Sequence, residues 1–318
     1  MSDFTIRTYT PAEAAMWNEF VASARNATFL FDRRYMDYHA DRFADRSLIA
    51  MRRDKPVALL PADITDDGVL HSHRGLTYGG WVLPRRHFDA IDMLRLFDEM
   101  IQWCRAEGIS AIDYKPLPAI YATAPSGEDL YALWRHGATC TECNISATID
   151  ITANPGMDTL QRRKMSKCAL RGIEIREFSS NGDIRGFHRL LSSCLEERYG
   201  ATPVHSAEEL ILLHERFADH IRFFGSALNG IIGAAICVYD TAKVRHCQYI
   251  CSSPEGRKND LLTPLTAHLI STILPGQRYM DFGTSNEHAG RVLNEGLYAY
   301  KASYGATGTV HTRYLLDI

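Results

Sequence analysis

Two periodicities run along this chain. The apolar positions Ile91, Leu94, Met100 and Ile101 predict a helix over residues 91–105. The apolar positions of residues 261–274 repeat that pattern, and residues 12–24 and 183–199 predict two further helices. Strand-like runs fold back on themselves over residues 47–62, about the charged turn Arg53-Asp54-Lys55, and over residues 223–239, about Asn229-Gly230. Asn-Gly between apolar runs is a strong hairpin signal, because both residues tolerate positive φ.

The elements come twice. Gly108-Ile-Ser-Ala-Ile-Asp-Tyr-Lys-Pro corresponds to Gly276-Gln-Arg-Tyr-Met-Asp-Phe-Gly-Thr, each a helix end, a short strand, then an Asp followed by an aromatic residue. Asp113 and Asp281, Gly137 and Gly305, and Thr139 and Thr307 all stand 168 apart. Both copies close on a strand-like end, Ile149-Asp-Ile and Leu316-Asp-Ile. Each half reads helix, hairpin, strand, loop, long helix, strand ending at Asp, helix, strand. Antiparallel hairpins joined to one strand–helix–strand crossover make an α/β (α+β) domain, a mixed and mostly antiparallel sheet flanked by helices. The expected domains are residues 1–153 and 154–318, divided at the loop-like Ala153-Asn-Pro-Gly. A length of 318 residues accommodates two such domains.

Charge and cysteine usage narrow the chemistry. The 35 basic and 38 acidic side chains leave a net charge of −3, which argues against a DNA-binding protein held by bulk charge. No run approaches the ~20 apolar residues that span a bilayer. Residues 1–10 lack an apolar stretch flanked by basic residues, so the cytoplasm is the expected compartment. Cys104, Cys194 and Cys237 sit singly in apolar surroundings, as small hydrophobes do. Cys140 and Cys143 form a lone C-x-x-C, and His71 and His73 lack a third ligand nearby, so no metal is expected. There is no G-x-S-x-G elbow, G-x-G-x-x-G or P-loop.

Several residues carry candidate chemistry. Gly256, Arg257, Lys258 and Asn259 lie in a loop leading into a helix, where exposed amides and two cations would favour a phosphate; the alternative is a solvated turn capped by Asn259 or Asp260. Asp281 ends a strand and Glu287 follows at a loop-to-helix transition. Either is a candidate base for an amine, or a structural group bonding its own loop. Arg162, Arg163, Lys164, Lys167, Arg171 and Arg176 form a basic run that would steer an anion or simply face solvent. His73 and Tyr78, in a glycine-rich strand region, and Arg198, Tyr199 and His205, at a helix end, are candidates to line a substrate cleft.

Three segments carry a family resemblance. Tyr279-Met-Asp-Phe-Gly-Thr-Ser-Asn-Glu, Leu293-Asn-Glu-Gly-Leu and Tyr300-Lys-x-x-Tyr304-Gly-Ala, together with the run from Arg162 to Gly172, resemble the Fem-like branch of tandem GNAT acyltransferases. The loop after the long strand keeps Gly256 but not the R-x-x-G-x-G/A pattern of acyl-CoA enzymes, and no coiled-coil arm occurs. The resemblance implies two tandem GNAT-like domains, with the working site in the second. It implies an N-acyltransferase moving an acyl group from acyl-CoA, a donor substrate rather than a bound cofactor, to a small-molecule or peptide amine. Tyr300 or Tyr304 would then be the acid and Lys301 a donor-binding cation. An aminoacyl-tRNA donor is one alternative; a non-catalytic ligand-binding protein of degenerate GNAT copies is another.

Overall fold

A computed structural model describes residues 4–153 and 156–318, apart from the side chain of Tyr199. The chain forms two compact units. One comprises Met1–Ile145, Asn286–Val292 and Val310–Ile318; the other comprises Ser146–Ser285 and Leu293–Thr309. The division is therefore not a single cut near Ala153. The long strands Thr139–Asp150 and Thr307–Asp317 each give one end to either unit.

The predicted elements form, with small shifts at their ends. Helices run over Ala14–Ser23, Ala90–Ala106, Asn181–Tyr199 and Leu262–Ser271. Asp89 caps the second through the amides of Ile91 and Asp92, and Ser180 caps the third through that of Asp183. The two hairpins are Leu48–Arg52 with Lys55–Leu60, and Ile221–Leu228 with Ile231–Asp240. Asn229 and Gly230 turn the second at φ 52° and 76°, the conformation a two-residue hairpin loop requires.

In the first unit, Leu48–Arg52 lies between Phe4–Thr8 and Lys55–Leu60. A second ladder runs Ala44–Asp45, Asp63–Ile64, Val69–His71 and Ala111–Tyr114. Its core packs Trp81, Phe97, Met100, Ile112 and Leu133. In the second unit, Tyr279–Thr284 pairs antiparallel with Thr139–Asp150 and parallel with Val244–Ser252. Antiparallel strands Ile231–Asp240, Ile221–Leu228 and Glu174–Phe178 complete the order. The core there packs Ile236, Val238, Leu265, Leu269, Met280 and Phe282. Arg245 is wholly buried under it, bound through two nitrogens to Asp240 at 2.8 and 3.0 Å and to the carbonyl of Leu269 at 3.1 Å. Those bonds satisfy a charge that burial would otherwise make very costly.

Among the described residues each unit contains one parallel strand pair, and the two pairs match rung for rung. Val69, Leu70 and His71 oppose Ala111, Ile112 and Asp113; Val244, Arg245 and His246 oppose Tyr279, Met280 and Asp281. The last rung is a His–Asp pair in both, with Nδ1 to Oδ2 distances of 2.7 Å for His71 and 3.0 Å for His246. Asp281 also accepts the hydroxyls of Ser146 and Thr148 and the amide of Gly283. Asp113 is held by Arg313. Burial pushes Asp113 up, but the Arg313 guanidinium and His71 outweigh it and keep it below the ordinary carboxylate range.

Beyond that rung the units differ. In the first, Ser72 donates its amide to Asp113 at 2.9 Å and its hydroxyl accepts from the amide of Lys115 at 2.7 Å. Gly79 then bonds Lys115, and the hydroxyl of Tyr114 accepts the amide of Trp81 and donates to Asp129. The strands are thus sewn together by the following segment. In the second, the parallel ladder stops at His246 and Asp281, and the strands part.

Two substitutions measure these bonds. Tyr114→Phe leaves the Trp81 amide and the buried Asp129 carboxylate without the hydroxyl, and should cost about 1–3 kcal/mol in urea unfolding. Asp281→Ala removes the acceptor for three donors and for His246 and should cost about 3–5 kcal/mol. An Asp281→Ala chain as stable as the parent would show that this rung does not hold the strands.

Candidate active site

Where the strands part in the second unit, a cavity of about 810 Å³ opens. One wall is the strand from Cys247 to Ser252, whose edge loses its parallel partner after His246. Phe282 and Thr284 face it from the other strand, Leu191, Cys194, Leu195 and Arg198 from the long helix Asn181–Tyr199, and Asn294, Leu297, Tyr300 and Lys301 from the segment entering and forming the helix Glu295–Ala302. The middle is apolar. Lys164, Arg198, Arg257 and Lys301 supply cations, while Asp260 supplies one carboxylate, already paired with Lys164 at 2.8 Å.

Lys301 is the buried cation of this set, 5 % exposed. Its Nζ donates to the carbonyls of Gly283 at 2.9 Å and Thr284 at 2.8 Å. The chain bulges between Asp281 and Thr284, with Gly283 at φ 75°, and this turns both carbonyls toward the amine. Burial pulls the Lys301 ammonium down to about 8, partly offset by the Asp281 carboxylate. Tyr300 bonds the hydroxyl of Tyr304 at 3.1 Å. Burial raises both phenols, and the neighbouring Tyr304 raises Tyr300 further, so both stay protonated at neutral pH.

Only some of the candidate residues meet at the cavity. Lys301, Tyr300, Gly256, Arg257 and Arg198 line the cavity together. His205 is one contact away, its Nδ1 2.5 Å from the hydroxyl of the lining residue Tyr249. Asp281 and Tyr304 are fully buried behind the wall. Lys258 is exposed beside Glu255, and the Asn259 side chain spans Arg171 and Glu255; neither lines the cavity. The remaining three are elsewhere. Glu287 lies in the short strand Asn286–Glu287, paired with Val292–Leu293, instead of at a helix start, and it belongs to the other unit. His73 and Tyr78 are buried in that unit too. His73 stacks on His39 at 5.2 Å and Tyr78 donates to Thr28. The side chain of Tyr199 lies outside the described residues.

The expected phosphate loop is a short helix, Pro254–Lys258, capped by Ser253 through the amide of Gly256. The amides of Arg257, Asn259, Asp260 and Leu261 are likewise bonded within the turn. Arg257 donates to the carbonyl of Ser252 at 2.8 Å and to Glu197 at 2.7 Å. A Cβ on Gly256 would stand 1.9 Å from the carbonyl oxygen of Gly233, so glycine here permits the helix to touch the hairpin strand.

His246, Cys194, Cys251, Gln248 and Asn294 were not signalled as site residues by the sequence. His246 stands 175 after His71, not 168, so the spacing that aligned the two aspartates missed the matching histidines. Cys194 reads as a core hydrophobe because its neighbours are apolar, yet it faces the cavity. Cys140 and Cys143 are exposed free thiols. Among the described residues no three His, Cys, Asp or Glu side chains gather to hold a metal, and no helix is long and apolar enough to cross a membrane.

No protein-family model and no curated protein matches the chain. Solved structures do. FemX superposes with a TM-score of 0.71 at 13 % identity, covering 99 % of this chain and 97 % of its own. The C-terminal domain of a putative lysylphosphatidylglycerol synthetase from Agrobacterium fabrum gives 0.61 at 15 %, covering 96 % and 92 %. A tandem GNAT protein from the clavulanic acid biosynthesis pathway gives 0.51 at 10 %, covering 99 % and 98 %. With its repeated parallel rung, mixed sheets and these neighbours, the chain has the tandem GNAT-like fold of the Fem type.

Proposed function

We propose that this chain is an acyltransferase that moves an acyl or aminoacyl group from an activated carrier to an amine in the cavity of its second unit. The observation that carries the reading is Lys301. An ammonium has three N–H bonds, and two are given to Gly283 and Thr284, which fix its position. The third is the donor for the carbonyl oxygen of the transferred group, whose developing negative charge a buried cation stabilises. Tyr300, one residue before, lines the same wall, with its hydroxyl bonded to that of Tyr304. Asp281 is engaged by four partners behind the wall and Glu287 belongs to the other unit, so neither is the base in this reading. The acceptor amine enters uncharged and loses its proton to water or to the carrier, and catalysis rests on positioning and charge stabilisation.

The geometry favours an aminoacyl-tRNA over acyl-CoA as carrier. The amides of Gly256, Arg257, Asn259, Asp260 and Leu261 are bonded within the turn, which leaves few of its amides for a pyrophosphate. Arg162, Arg163 and Lys167 are exposed on the helix Thr159–Ala169, where Lys164 reaches the cavity, and such a row suits a polyanionic strand. Acyl-CoA remains the second reading, favoured by the unpaired edge of the strand at Cys247–Ser252, to which an extended, amide-bearing arm could pair.

Single-turnover assays with labelled aminoacyl-tRNA and labelled acyl-CoAs test this directly. Transfer to an amine from the first alone is expected; transfer from the second alone reverses the choice of carrier, and transfer from neither with no carrier binding sinks the enzyme reading. Lys301→Met should lower the rate about 10²- to 10³-fold while carrier binding changes little. Because Lys301 is charged below a pKa of about 8, the rate attributable to it should be level below pH 8 and fall above. The same fall above pH 8 in the Lys301→Met chain would show that Lys301 is not its source.

A further inference from the structure

Behind the cavity wall lies a histidine that the transfer described above does not use. His205 is 5 % exposed and stands just before the helix Ala207–Arg216. Its Nδ1 is 2.5 Å from the hydroxyl oxygen of Tyr249, and the two rings meet edge to face, with centroids 5.8 Å apart and planes at 86°. Tyr249 lines the cavity and His205 does not, so the phenol links the cavity to the imidazole.

Both partners are held by the fold. Tyr249 lies on the strand Val244–Ser252 beside a bulge: it opposes Cys237 while Cys247 opposes Val238, which leaves Gln248 as an extra residue. Such bulges re-aim the side chains next to them. His205 is fixed through its backbone. Its carbonyl accepts from His188 Nε2 at 3.1 Å, and Ser192 bonds the other ring nitrogen of His188 at 3.4 Å. Both come from the helix Asn181–Tyr199, which also forms part of the cavity wall. The next residue, Ser206, exchanges two bonds with Glu209 in a capping box that anchors the following helix.

We propose that Tyr249 and His205 form a proton relay for the acceptor amine. This deepens the transferase reading and rests on it. An amine that attacks a carbonyl must shed a proton, and Lys301, whose ammonium donates to two carbonyls, is a donor there and not an acceptor. A phenol accepts and donates at one oxygen, and an imidazole is the side chain that takes and returns a proton near neutral pH. As the new C–N bond forms, the C=O electron pair moves onto oxygen. The amine proton passes to the Tyr249 oxygen while the phenol proton passes to His205 Nδ1. The carbonyl then re-forms, the bond to the carrier breaks, and the proton returns through Tyr249 to the departing carrier atom. One proton has moved from amine to carrier, and both side chains end as they began. The relay requires His205 to carry its resting proton on Nε2, with Nδ1 open to the phenol. Tyr249 is the catalytic residue of the pair, and His205 acts through it.

The test is single-turnover transfer by the full chain, from labelled aminoacyl-tRNA and from labelled acyl-CoA, in light and in heavy water. The wild-type rate should fall in heavy water. Tyr249→Phe should lower the rate about 10²-fold, leave carrier binding unchanged and remove the isotope effect. His205→Asn sets an amide oxygen close to the place of Nδ1, which can hold the phenol but takes no proton, so it should lose as much as Tyr249→Phe. Full rate in His205→Asn would show that the histidine only holds the ring, and would overturn the relay. The wild-type chain gives a second readout that needs no variant: nitrogen-15 spectra of the neutral imidazole should place the His205 proton on Nε2, and a proton on Nδ1 would overturn the relay. Wild-type transfer with an equal rate in Tyr249→Phe overturns the relay and leaves the transferase reading standing. No wild-type transfer from either carrier sinks the transferase reading, and the relay with it.

Discussion

Everything distinctive about the second unit follows from one rung of a parallel ladder. At that rung Asp281 is fully buried and receives His246, Ser146, Thr148 and the amide of Gly283. A buried carboxylate with so many donors is fixed in place, because losing any partner leaves a polar group unsatisfied in a low dielectric. The rung pins the two strands at their last shared register. The bulge that follows, with Gly283 at φ 75°, turns the chain away from its neighbour. One strand edge and two carbonyls are thereby exposed inside the protein. Lys301 satisfies those carbonyls, and the space between becomes the cavity.

The first unit shows what the same rung does when the strands are sewn together afterwards. His71 and Asp113 occupy the same places, but Ser72, Gly79 and Trp81 donate their amides across the gap. Tyr114 fills the gap with a hydroxyl bonded on both sides. Gly80 presses on this ring so closely that a Cβ would stand 2.7 Å from the hydroxyl. The His–Asp rung is therefore a device for holding two parallel strands, common to both copies, and not by itself a mark of catalysis. What sets the second copy apart, the cavity and its lining, stands beyond the rung.

The sequence was legible where local rules act. Turn residues, helical faces and the 168-residue repeat are short-range signals, and the hairpins, long helices and paired aspartates appear where those signals lie. Lys301, Tyr300 and Arg257 could be picked out because they sit in recognisable segments, and they meet at the cavity. Glu287 was misplaced for a local reason: Asn286 and Glu287 pair with Val292 and Leu293 across a tight turn, and a helix starts only at Glu295. The interleaved units were illegible because the exchange of strand ends at residues 145 and 310 leaves no trace in composition.

The cost of an open cavity explains the polar choices around it. A strand edge facing a void needs partners, as does a buried ammonium, and each is supplied by the other's neighbourhood. Lys301 takes the two bulged carbonyls and Arg257 takes the carbonyl of Ser252. Replacing these groups by apolar ones would fill the space as the first unit fills its own. The polar groups therefore do opposite work at two depths. Behind the wall they lock the strands, where Asp281 is sealed from solvent. On the wall Lys301 and Arg257 hold backbone carbonyls and still line the cavity. Any account of the chemistry of this chain has to begin on the wall, where charge is held but not fully neutralised.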